Sequence, residues 1–136
     1  MFKNVVSLFN FDESNNEYHL TILENVELQS NYRTRFTNDS TFDDDVSLLI
    51  IKYSIVGSDK KISSGKVFKT PKIWNNLENK SGFFTFQTGS DFFMKERFEK
   101  QISDYESLKN SYDDIFFIHS VKDFEDDLKH WEVVGY

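Results

Sequence analysis

The sequence predicts a mainly β protein, a small antiparallel β-barrel or sandwich carrying one or two short helices. Three observations predict it. The chain contains no alanine, the strongest intrinsic helix former. It is 17% aromatic, with 15 Phe, and aromatic and β-branched residues suit the half-buried surface of a strand. Apolar residues alternate with period two over short stretches set apart by polar turns, the spacing of sandwiches and barrels.

Residues 4–11 read as a first strand, with Val6, Leu8 and Asn10 on one face and Val5, Ser7, Phe9 and Phe11 on the other. Residues 12–17, DESNNE, are a polar turn. Residues 18–28 alternate cleanly until Glu24-Asn25, where the phase shifts; such a shift marks a bulge or bend. Residues 31–37 continue in strand fashion, and residues 38–45, NDSTFDDD, form an acidic loop. Residues 46–55 are the most apolar strand, and the run Leu48-Leu49-Ile50-Ile51 predicts burial on both faces. Residues 57–65, GSDKKISSG, are a polar loop.

Thr70-Pro71 begins a short helix, with Thr as cap and Pro at the first helical position. Residues 82–87 are a strand, 88–91 a turn, and 92–98 a strand or strand end. Ile102, Tyr105, Leu108 and Tyr112 recur at three and four residues and predict the longest helix over 101–112. Residues 115–121 form a strand, 123–129 an acidic turn, and 131–134 a closing strand in which Trp131 is expected to be largely buried. The phenylalanines at 83, 84, 86, 92, 93 and 98 supply aromatics to both faces, which requires a covering element or a partner.

All 136 residues fit one domain large enough to bury a core unaided. The absence of cysteine excludes disulfides, thiolate metal sites and a cysteine nucleophile. Neither a secretory leader nor a membrane span is expected, because the longest apolar run is four residues. The net charge of −7 argues against nucleic acid, whose phosphates are bound by Lys and Arg, and suits a basic protein partner.

No catalytic signature occurs. His19, His119 and His130 have no HxxxH or HExxH spacing, and a strand histidine without a spaced partner reads as structural. Glycine-rich phosphate loops and nucleophile elbows are missing. The acidic run Asp43-Asp44-Asp45 lacks the alternating ligands and the glycine of a calcium loop. The expectation is a non-enzyme with no cofactor and no metal. Its candidate partner contacts are Asp43, Asp44 and Asp45 in one loop and Lys60 and Lys61 in the other.

From Thr70 onward the order of segments is TPKIW, then FFTFQTGSDFFMKE, then YDDIFFIHSVKD, and finally HWEVVG. This order resembles short phage proteins of the minor capsid or head–tail connector type, most specifically over Asp113-Asp114, Ser120-Val121, Asp123 and the closing His130-Trp131-Glu132-Val133 with Gly135. Two departures stand out: Ser90 is inserted between Gly89 and Asp91, and Met94–Arg97 stands where that pattern has a glycine. The resemblance implies a virion structural subunit, made in the bacterial cytoplasm. It would work in a homo-oligomeric ring against other neck, portal or tail proteins, with neither membrane nor sequence-specific nucleic acid as partner. Rings of this kind use heterologous contacts between unlike faces. The second reading is an acidic inhibitor or immunity-type protein that covers a basic partner. A third is a β module binding sugar or peptide through surface aromatics.

Overall fold

The computed structural model describes residues 2–30, 47–52, 61–62, 64–95, 97–98, 115–124 and 130–136. The expected acidic loop 38–45, the strand-like segment 31–37, Lys60 and the expected helix 101–112 lie outside these residues.

The described chain is mainly β. Strands β1 (Asn4–Asp12), β2 (Glu17–Ser30), β3 (Ser47–Lys52), β6 (Phe92–Lys95), β7 (Ile115–Phe124) and β8 (His130–Gly135) form a closed antiparallel barrel in the order β1-β2-β3-β8-β7-β6. Each of these strands is bonded to two neighbours, and closure removes the exposed edges that an open sheet presents. Between β3 and β6 the chain forms a small insertion: β4 (Val67–Phe68), the helix α1 (Pro71–Asn75) and β5 (Phe83–Phe84), with β4 and β5 paired in parallel.

The local chemistry explains the elements. The β1–β2 register passes from Asn4↔Val26 to Val5↔Glu24, so Asn25 is the extra residue, at φ 59°. The expected phase shift is a β-bulge, and asparagine tolerates the left-handed conformation it requires. A second bulge lies in β7 at His119, where Ile118↔Gly135 is followed by Ser120↔Val134. Pro71 opens α1 as expected, although the Thr70 side chain makes no capping bond. The expected strand at 82–87 holds only through Phe84, because the Thr85 amide donates to Asn10 Oδ1 instead of to a neighbouring strand. The strand expected over 92–98 ends at Lys95, within the departure noted above. In the expected acidic turn at 123, β7 instead continues through Phe124, with Asp123 opposite Trp131.

Alternation sorts the aromatics into two cores. Val6, Leu8, Leu23, Val26, Leu49, Ile51, Phe93, Phe116, Ile118 and Val133 face inward, and Phe68, Phe84 and Phe86 of the insertion pack among them. Phe9, Phe92, Met94 and Phe98 form a second buried cluster on the outer face of β1 and β6, flanked by Tyr18, Leu20, Ile115 and Phe117. Burial on both faces is therefore real, and it holds at β3 too, where Leu48 and Leu49 are both buried.

Gly135 packs directly against Phe93 and Phe116. A Cβ there would lie 2.7 Å from Phe93 Cε1 and 2.9 Å from Phe116 Cβ, closer than carbon atoms pack. Trp131 is only partly buried, against Phe68 at 4.9 Å between ring centroids; the tryptophan with no exposed surface is Trp74.

Candidate functional site

The polar residues that the fold gathers lie at one rim of the barrel, where β1 turns into β2. Asp12 pairs with Glu17 and Asn10 with His19 across the hairpin. Opposite residues of a ladder share a face, so all four lie on the side of β1 that carries Val6 and Leu8. α1 and the loop after it bring Trp74 and Lys80 to the same place.

Asp12 is the centre of this group, and only 1% of its side chain is exposed. Its Oδ2 lies 3.1 Å from His19 Nε2 and accepts from Asn15 Nδ2 at 2.8 Å. Its Oδ1 accepts from the Ser14 amide at 3.1 Å and lies 3.6 Å from Lys80 Nζ. Burial alone works against the charge on Asp12. The hydrogen bonds from Asn15 and His19, with the charge of Lys80, outweigh burial and hold its pKa below the ordinary aspartate value. The bonds to Ser14 and Asn15 also brace the four-residue turn, an aspartate role common in turns.

Lys80 is itself buried; its Nζ donates to the Leu77 carbonyl at 2.9 Å and lies 5.3 Å from the Trp74 ring centroid. His19 meets Trp74 edge to face at 6.0 Å, and lies 3.6 Å from the half-exposed Glu17 carboxylate. Trp74 Nε1 is buried and has no hydrogen-bond acceptor among the described residues, an uncommon state for a buried indole. From the sequence alone His19 reads as structural. The signal that was available is the i, i+2 spacing of Glu17 and His19, which puts both on one face of β2, with Asp12 just across a short polar turn.

A second polar group, built on Asp91, fastens the turn at 87–91 to the barrel. The Asp91 carboxylate accepts from Asn10 Nδ2 at 2.7 Å, the Phe11 amide at 2.9 Å, the Gln87 amide at 2.8 Å, Gln87 Nε2 at 2.9 Å and Ser90 Oγ at 3.3 Å. Asn10 also donates to the Thr85 carbonyl at 2.6 Å. On the opposite side, Gly89 N donates to the Ile118 carbonyl and Ile118 N to the Asp91 carbonyl, both at 3.0 Å. Gly89 takes φ 87°, where a side chain is strained. Burial raises the Asp91 pKa to about 6 against the pull of its donors. All the groups facing this carboxylate donate, so it acts as a structural acceptor at the junction of β1, β7 and the turn.

Of the expected partner contacts, Asp43, Asp44, Asp45 and Lys60 lie outside the described residues, and Lys61 is exposed. His119 stacks on Tyr136 at 3.6 Å, and His130 Nε2 lies 2.9 Å from Glu132 Oε2. Among the described residues, no helix is long and apolar enough to cross a membrane.

No curated protein and no solved structure matches the chain. A family model does, over residues 2–136, described as a family of unknown function. The match takes in both polar groups, both cores and the closing HWEVVG strand: the chain belongs to the DUF6751 family.

Proposed function

We propose that this protein is a non-enzymatic virion subunit, a head–tail connector of the head-closure or neck type acting in an oligomeric ring. The observation that carries the reading is where its motif residues go. Trp74, Asp91, Trp131 and Gly135, all within the segments that resemble phage connector proteins, serve the packing of the barrel. A subunit that works as a rigid building block needs its recognisable residues for shape, and its contacts come from surfaces. Closure of the sheet supports the same reading, since the barrel carries its own core and is free to offer unlike faces to its neighbours.

The second reading, an acidic inhibitor of a basic protein, is favoured by the net charge of −7. Mass spectrometry of purified phage particles separates the two. The connector reading expects the protein in stoichiometric amounts in the particle, and its absence there leaves the inhibitor as the better account. Within the connector reading, lysine at Asp43, Asp44 and Asp45 together is expected to lower the yield of joined particles while the melting temperature holds. Normal particle yield from that variant removes the acidic segment from the contact.

A further inference from the structure

We propose that Asp12, Glu17 and His19 form a binding site for a divalent transition-metal ion of the zinc class at the rim of the barrel. The inference is independent of the connector reading.

Geometry carries it. One ligand atom from each of the three side chains lies within 4.8 Å of the others, with His19 Nε2 3.1 Å from Asp12 Oδ2 and 3.6 Å from Glu17 Oε1. A zinc ion bound at about 2.0–2.2 Å to nitrogen and oxygen holds neighbouring ligand atoms roughly 3.0–3.6 Å apart. The His19 spacings already match. Glu17, at 56% side-chain exposure, has the freedom to close the third. The backbone sets the arrangement: Glu17 and His19 share a face of β2, and Asp12 stands opposite Glu17 across the hairpin.

The surroundings suit a metal ligand set. Lys80 approaches Asp12 through Oδ1, whereas His19 faces Oδ2. Lys80 thus braces the ligating carboxylate from its far side, as outer-shell partners do, and the site keeps one net negative charge. Trp74 packs edge to face on His19 and orients the ring. Among the described residues the buried Trp74 Nε1 has no acceptor, and its ring packs on His19; a water or anion on the open fourth position of a three-ligand zinc is an acceptor of the kind it needs. The mixed imidazole and carboxylate set selects zinc-class ions over calcium, which takes oxygen ligands.

Isothermal titration of the metal-stripped full chain with zinc chloride tests this, with calcium chloride as the control and melting curves alongside. Expected are one zinc per chain, a raised melting temperature reversed by chelator, and no response to calcium. Glu17→Ala is the informative variant, because an exposed side chain is removed without disturbing the core. It should weaken zinc binding at least tenfold while leaving the metal-free melting temperature within about a degree. His19→Gln should do the same to binding. No zinc binding by the parent chain overturns the proposal. So does binding that persists in Glu17→Ala and is lost in His130→Ala, which would place the ion at the His130–Glu132 pair.

Discussion

Asp91 is the residue at which sequence, burial and charge meet most sharply. It is fully buried, faces five donors, and has its pKa raised to about 6. Raised above the ordinary value of 3.8, it favours folding most when protonated, so its contribution is full below about pH 4 and is lost as pH rises through about 6. Asp12 works in the opposite direction. Its pKa is lowered, so its contribution is present above the ordinary value and is lost only at more acidic pH. Between pH 4 and 7 the Asp91 effect therefore dominates, with an expected fall in stability on the order of 1–3 kcal/mol. Urea unfolding at a series of pH values checks it. Asp91→Asn should be less stable than the parent at pH 5, because an amide NH2, unlike either oxygen of the acid, cannot accept from the facing donors, and its stability should lack this part of the pH slope. An identical slope in parent and variant contradicts the assignment.

At the scale of elements, the bulge at Asn25 sets the register of the longest hairpin. It lets Val26 and Leu23 both face inward, although three positions separate them. Without the extra residue every side chain beyond it would change face. The conformation at φ 59° costs a β-branched residue roughly 1–2 kcal/mol more than asparagine or glycine. Asn25→Val is thus expected to lower stability by about that amount, and Asn25→Gly to leave it nearly unchanged, as read from denaturant midpoints. Equal midpoints for the two variants would show that the backbone strain is not felt. The bulge in β7 also inserts one residue, His119, which stacks on Tyr136.

Over the whole molecule, the insertion between β3 and β6 is bound to the barrel by aromatic packing and buried polar bonds. Phe68, Phe84 and Phe86 enter the interior core, Lys66 Nζ donates to the Leu20 carbonyl at 2.7 Å, and Trp74 lies beside the hairpin. Burial holds the Lys66 pKa below the usual lysine value. Trp74→Ala is expected to cost about 3–5 kcal/mol, the scale of emptying a large buried site. Trp131→Ala should cost roughly half as much, in keeping with its partial exposure. Calorimetric melting of the two variants provides the ranking, and a greater loss from Trp131→Ala would reverse the account of which tryptophan holds the fold.

Local chemistry was enough to establish the β class, the strands along residues 4–11, 18–28, 115–121 and 131–134, the bulge at Glu24-Asn25 and the start of α1. Each depends on side-chain alternation or on the backbone preference of a single residue, and both are written along the chain. Tertiary structure alone decided that the sheet closes into a barrel, since closure depends on which strands pair across long separations, as with β1 and β6. It also decided that Thr85 leaves the sheet for the Asn10 side chain and Gln87 for Asp91, and that Trp74 is buried more deeply than Trp131. The same holds at the rim. Asp12, Glu17 and His19 stand close in sequence, but their meeting with Lys80 and Trp74 depends on an insertion some sixty residues away folding back over the hairpin. Periodicity specifies which face a residue takes; it carries no information about what the rest of the chain brings to that face.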